Sequence, residues 1–173
     1  MKKRIFAAVL SAALLIASLA ACAGGGDKGQ DKQVDLAGFA KSVIENHEFS
    51  GFVERIDTAD PDMGEFMRDT LNNFYLGLTD LDLAQMEVYM SMISFSSGEL
   101  ALVQAKSADD AGRVKDIFQA RVDSKSTEGM GNYPEEVEMW QRSAQIAANG
   151  NYVLLVCHED SDAIVSEFNA LFQ

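Results

Sequence analysis

The sequence predicts an α+β domain with a four-stranded antiparallel sheet, made of two strand-strand-helix units, with helices packed on it and additional N-terminal helices. Two observations carry this prediction. Apolar residues follow the helical period as far as residue 74 and then alternate with a period of two from residue 86. Two strands joined by a turn and followed by a capped helix then occur twice, over 86–122 and 144–172. Such units form antiparallel hairpins covered by helices.

Two amphipathic helices are predicted before the first strand. Asp35 is placed to cap the first, whose apolar positions are Leu36, Phe39, Ala40, Val43 and Ile44. Asp60 followed by Pro61 is typical of a helix start, and Gly77 suits the end of that second helix. Its apolar positions are Met63, Phe66, Met67, Leu71 and Phe74.

The two hairpins are predicted around glycine-containing turns. A turn at Ser96-Ser97-Gly98 joins strands 86–92 and 100–105, and Asn149-Gly150-Asn151 joins strands 144–148 and 152–157. Asn-Gly is the stronger turn signal, so we expect substitution to be more harmful at Gly150 than at Gly98. A short helix is predicted to begin at Tyr133-Pro134.

Each hairpin is followed by a predicted helix with a recognisable cap. Ser107 and Asp110 have the capping-box spacing for one, and Asp160 or Ser161 can cap the other. Superposing Gly98 on Gly150 aligns the two units. Gene duplication and shared turn chemistry explain the similarity of the units equally well. We expect the helices of both units on one sheet face and the N-terminal helices on the other.

The first 21 residues have the features of a bacterial lipoprotein signal peptide. A basic start, Lys2-Lys3-Arg4, precedes an apolar stretch that ends in the lipobox Leu19-Ala20-Ala21-Cys22. An uncleaved anchor would need about 20 apolar residues and no small-residue cleavage site. We therefore predict cleavage between Ala21 and Cys22, attachment of membrane lipid to Cys22, and a location on the extracytoplasmic face of the cell membrane.

A tether and one globular domain are predicted after the signal peptide. Residues 22–33 contain four glycines and no apolar side chain larger than alanine other than the lipidated cysteine, which is typical of a flexible linker. Residues 34–173 have the length of a single domain. The chain carries a formal net charge of −13, and such acidity disfavours binding to nucleic acid and to anionic lipid headgroups.

The reactive residue types do not form a recognisable catalytic motif. Cys157 lies in an apolar run and is expected to pack as a small hydrophobic residue, with its neighbour His158 on the opposite face of the strand. His47 and His158 are far apart in sequence, and each is expected to be a partly exposed surface group. We expect no cofactor, no metal and no catalytic residue.

Three other sets of residues are candidates for a functional role. The acidic set Asp57, Asp60, Asp62 and Glu65 does not have the spacing of a calcium loop. Glu99 and Lys106, at the ends of one strand, are expected to be edge or solvent groups. A binding loop is a further possibility, although core packing of its aromatic residues is favoured over that role; the candidates are Gly129, Gly131, Tyr133 and Trp140.

Several short segments resemble the exported bacterial lipoproteins known as domain of unknown function 4358. The similarity covers roughly 35–173, and the segments that carry it are 75–78, 88–91, 98–106, 109–111, Tyr133-Pro134 and 149–153. The resemblance implies a protein on the outer face of a single, Gram-positive membrane. It implies no activity, because the family has none assigned.

We therefore expect a non-enzymatic, lipid-anchored module that binds a protein or a cell-envelope component through its sheet face or its glycine-rich loop. The alternative is a small-molecule carrier or sensor with an apolar pocket between the sheet and the N-terminal helices. That pocket would be lined by Met86, Met90, Phe66 and Phe74. An enzyme would need a pair of converging carboxylates, which the sequence does not reveal.

Overall fold

The computed structural model describes residues 33–49, 52–91, 98–127 and 133–173. The predicted signal peptide, with Ala21 and Cys22, lies outside these residues, as does the tether apart from Gln33. The described residues form five strands, five α-helices and a 3₁₀ helix, Leu78–Asp80. In chain order these are α1 Leu36–Asn46, β1 Val53–Arg55, α2 Gly64–Phe74, β2 Leu83–Ser91, β3 Glu99–Ala105, α3 Ala108–Lys125, α4 Pro134–Ser143, β4 Ala144–Asn149, β5 Tyr152–Cys157 and α5 Ser161–Ala170.

The sheet is antiparallel throughout and has the strand order β1-β2-β3-β5-β4. The α+β class is confirmed, but the prediction of four strands is wrong by one edge strand. β1 has three residues and pairs with the end of β2, placing Glu54 opposite Met90. It was missed because a three-residue strand, half-buried at best, is too short to show a period of two.

The helices cover both faces of the sheet. We call the side under α2, α3 and α4 the first face and the side under α1 and α5 the second face. The expectation that α3 and α5 share one face is therefore wrong. The connectors into these helices differ in length, since residues 106–107 precede α3 and residues 158–160 precede α5. A short connector largely determines to which side of the sheet the following helix turns.

The predicted caps of α1 and α3 are present. Asp35 Oδ1 accepts a hydrogen bond from the Gly38 amide at 3.0 Å, and Ser107 Oγ accepts one from the Asp110 amide at 3.0 Å. Asp60 acts differently from the prediction: its Oδ1 accepts from the Asp62 and Met63 amides at 2.8 and 2.7 Å. These bonds close a separate turn, so α2 begins at Gly64 rather than at Pro61.

Three glycines with positive φ lie at or near the hairpin turns and the end of α2. Gly150 has φ +54° and forms the two-residue turn between β4 and β5 with Asn151. Gly98 has φ +110° immediately before β3, while Ser96 and Ser97 lie outside the described residues. Gly77, predicted as the cap of α2, is left-handed two residues beyond the observed cap at Tyr75 and precedes the 3₁₀ helix.

No described helix combines the length and the apolar composition that crossing a bilayer requires.

Candidate functional site

A buried ion pair lies at one end of the first face, where β3 begins and α2 ends. Arg121 of α3 donates to both carboxylate oxygens of Glu99, from Nε to Oε1 at 2.9 Å and from a terminal nitrogen to Oε2 at 2.7 Å. The Tyr75 hydroxyl donates to Glu99 Oε1. All three residues are buried. The prediction that Glu99 is an edge or solvent group is therefore wrong, whereas Lys106 is exposed and pairs with Asp82 at 2.7 Å.

Aromatic rings surround the Arg121 guanidinium. Its carbon lies 4.7 Å from the ring centre of Phe74, 5.7 Å from that of Tyr75 and 5.5 Å from that of Trp140. Burial lowers the pKa of Arg121, but the neighbouring Glu99 carboxylate raises this pKa by more than burial lowers it. The guanidinium therefore stays charged. Burial also raises the pKa of the Tyr75 hydroxyl, which therefore stays protonated and available as a donor.

A second ion pair joins the last turn of α3 to the first turn of α4. Lys125 Nζ lies 2.5 Å from Glu136 Oε1, and both side chains are largely buried. The other oxygen of Glu136 has no hydrogen-bond partner among the described residues, and neither does the Ser126 hydroxyl. In sequence, Ser126 and Glu136 flank residues 128–132, which lie outside the described residues.

Cys157 packs beneath these pairs, opposite Glu99 in the β3-β5 register. Burial, with the nearby Glu99 and Glu136 carboxylates, raises the pKa of its thiol to about 12. A nucleophilic cysteine needs the opposite setting, one that favours the thiolate. The interpretation of Cys157 as a small buried hydrophobic residue is confirmed.

The buried network joins α2, α3 and β3. Both oxygens of Glu99 accept from Arg121, and one also accepts from Tyr75. The network fixes the end of α2 and α4 against the sheet. It thereby gives a rigid base to the surface above it.

That surface carries a row of exposed apolar side chains, which we call the α2 ridge: Met63, Phe66, Phe74 and Leu76. Their exposed fractions are 46%, 53%, 42% and 84%. The predicted pocket lined by Phe66 and Phe74 is therefore not formed. Met90 is buried in the first-face core, and Met86 lines an open groove with Arg68 and Asp82 instead.

The residues of the predicted binding loop divide into two groups. Trp140 is buried in the first-face core, and Tyr133 is 51% exposed at the start of α4. The core interpretation is thus confirmed for Trp140 and wrong for Tyr133. Gly129 and Gly131 lie outside the described residues.

The structure brings together the two histidines that are far apart in sequence. His47, at the end of α1, and His158, after β5, lie beside Asp160, and one ligand atom from each residue lies within 4.8 Å of the others. The expectation of a partly exposed surface group is wrong for His158, which is buried, and is confirmed for His47, which is intermediate in exposure. The only signal in the sequence was the His-x-Asp spacing at 158–160, and it did not reveal that His47 lies nearby.

The acidic set does not converge on one point. Asp57 pairs with Arg55 at 3.1 Å and Asp60 caps the turn before α2, so both carboxylates are engaged within the fold.

A family match covers the helices that form the first face and the strands β2 to β5. A family model described as Domain of unknown function (DUF4358) matches residues 57–158. The chain belongs to this family. No curated protein and no solved structure matches it. The matched DUF4358 region is shorter than the 35–173 inferred from sequence; it includes the Glu99–Arg121 pair and the α2 ridge.

Proposed function

We propose that this DUF4358 protein is an extracytoplasmic lipoprotein, anchored through Cys22, that binds another protein through the α2 ridge and carries out no catalysis. The observation that supports this most directly is the exposure of four large apolar side chains along one short helix and the turn after it. Large exposed apolar side chains that come together in one patch mark interaction sites in soluble domains.

The two sides of α2 explain why the ridge is not simply the edge of the core. Leu71 packs fully into the first-face core, while Phe66 and Phe74, roughly two helical turns apart, face solvent. These two rings therefore remain about half exposed after folding, although Thr70, between them on the same helical stripe, is buried. Exposure of this apolar area in water is unfavourable, and a bound partner would remove it from water.

The charges around the ridge indicate the chemistry of the partner. Asp62, Glu65 and Asp69 are exposed on or beside α2 and outnumber the exposed Arg68, within a chain of net charge −13. An anionic lipid surface or an anionic wall polymer would be repelled. We therefore propose a protein partner that offers an apolar groove with basic residues around it. The binding mode would be that of an amphipathic helix in a groove.

Photo-crosslinking in intact cells tests the proposed surface. A photoreactive amino acid at position 66 should capture a specific protein, whereas the same group at Asp116, exposed on α3, should not. Leu76→Ser should abolish the capture at position 66 and leave the thermal stability of the domain unchanged. Equal capture at both positions, or capture that survives Leu76→Ser, would contradict the proposal.

The anchor is tested separately by metabolic labelling with a fatty acid. Because the acceptor must be a thiol at the cleavage site, Cys22→Ser should remove the label and release or stall the precursor. Cys157→Ser is the matched control and should keep the label. Label that persists in Cys22→Ser would show that the lipobox was misassigned.

A further inference from the structure

The end of α1 and the connector between β5 and α5 form a cluster of nitrogen and oxygen ligands on the second face, away from the α2 ridge. We propose that His47, His158 and Asp160 bind a divalent transition-metal ion of the zinc type. Two imidazoles and one carboxylate suit zinc and its neighbours in the first transition row, whereas magnesium and calcium prefer oxygen ligands alone.

The distances between the ligand atoms favour a common ion. His47 Nδ1 lies 3.1 Å from Asp160 Oδ2. Ligand atoms on one tetrahedral zinc ion, each at about 2.0–2.1 Å from the metal, are about 3.3 Å apart. This edge of the site is therefore already close to the required length. All three ligand atoms lie within 4.8 Å of one another, so binding a common ion requires the more distant of them to move closer.

Both imidazoles have outer hydrogen-bond partners of the kind that metal-bound histidines use. His47 Nε2 lies 3.2 Å from Glu167 Oε1, and His158 Nε2 lies 3.3 Å from the Glu48 carbonyl oxygen. Such acceptors hold the proton on Nε2, orient the ring and leave Nδ1 to the metal.

The state of His158 can be read from its neighbours. Its Nδ1 accepts a hydrogen bond from the Asp160 amide at 3.0 Å, so this nitrogen carries the lone pair and Nε2 carries the proton. The Phe49 ring stacks on the imidazole at 4.3 Å and restricts its rotation. A metal ion would replace the amide as the partner of that lone pair.

The Asp160 side chain does not cap α5, although Asp160 is the N-cap residue of that helix. The side chain makes no capping hydrogen bond and turns to His47 instead. The His47 side chain is 10% exposed, and that of Asp160 is 53% exposed. Three protein ligands leave the fourth position of a tetrahedral zinc ion open to water or another ligand.

Metal titration of the full-length, chelator-treated protein tests the site. Calorimetry with Zn²⁺ should show one ion bound per chain, and Co²⁺ should give the visible absorption of a tetrahedral site. Asp160→Asn should weaken Zn²⁺ binding by more than about tenfold, and loss of the outer partner in Glu167→Gln by about tenfold. Glu159→Gln is the matched control: it removes an exposed charge between the two ligands in sequence and should leave the affinity within about twofold.

A second ligand variant keeps the result interpretable. His158→Gln should also lose Zn²⁺ binding, and circular dichroism of the metal-free variants should show that each still folds. The alternative is that His47 simply forms an ion pair with Asp160 and Glu167. Absence of saturable Zn²⁺ binding would favour that ion pair and overturn the proposal. So would equal weakening by Asp160→Asn and Glu159→Gln, because it would indicate diffuse attraction to an acidic surface.

Discussion

The two faces of the sheet are built on the same central strands but are closed in different ways. β3 and β5 supply alternate side chains to each side, and the apolar residues on both sides are almost completely buried. The first face also encloses the Glu99–Arg121 pair. The second face is closed by aromatic rings, with Phe168 6.3 Å from Phe39 and 5.2 Å from Phe172.

This difference shows how the protein places charge in its interior. On the first face the Arg121 guanidinium donates two hydrogen bonds to the Glu99 carboxylate, which also accepts one from the Tyr75 hydroxyl. Three aromatic rings surround the guanidinium. Such a pair adds little net stability over apolar residues, but losing one partner leaves the other buried and unpaired. We infer that the first face depends on a specific arrangement, whereas the second depends mainly on filled volume.

Removal of Arg121 should have the largest effect. Arg121→Met leaves the Glu99 carboxylate buried without its cation and should lower the free energy of unfolding by about 3–5 kcal/mol. Denaturant unfolding measures this loss. The double variant that adds Glu99→Gln should recover most of the stability, since no buried charge remains. A double variant no more stable than Arg121→Met would show that the charge is not the cause.

Leucine truncation on each side should give nearly equal effects. Leu154 and Leu155 are adjacent in β5, both fully buried, and point to the second and first face respectively. Each change to alanine should reduce the free energy of unfolding by about 2–4 kcal/mol, from lost burial and the cavity left behind. A difference of more than about 2 kcal/mol between them would mean that one face is packed much more loosely.

Substitution of Gly98 should destabilise the domain more than substitution of Gly150, which is the opposite of the order expected from sequence. Gly98 has φ +110°, and a Cβ there would lie 3.3 Å from the Phe49 ring, whereas Gly150 has φ +54° and open space around it. Gly98→Ala should therefore cost about 1–3 kcal/mol and Gly150→Ala about 1 kcal/mol. Thermal melts of the two variants decide the order. A larger loss for Gly150→Ala would restore the sequence-based expectation.

Cys157 should give the smallest change in stability. Its raised pKa, about 12, keeps the thiol protonated at neutral pH, and burial excludes reagents. Alkylation should therefore be slow in the native protein and rapid after denaturation. Cys157→Ala should cost roughly 1 kcal/mol. Native alkylation at the rate of the unfolded chain would place the thiol at the surface.

Much of the local structure is determined by residues that are close together in the sequence. The caps at Asp35 and Ser107, the Asn149-Gly150 turn and the apolar strand 152–157 each depend on a few neighbouring residues, so the sequence predicted them. The α+β class followed from the change in hydrophobic period. The predicted lipid anchor is equally local, because it rests on the contiguous signal peptide and the lipobox at Cys22.

Other features depend on contacts between residues far apart in the chain. Glu99 looked like a strand-end charge until α3 placed Arg121 beside it, and His47 acquired its partners only when α1 packed against α5. The exposure of Phe66 likewise depends on how α2 packs against the rest of the domain, which hydrophobic spacing alone cannot specify. Periodicity reports which residues share one side of an element. Whether that side meets the core, another helix or water is decided when the elements pack together.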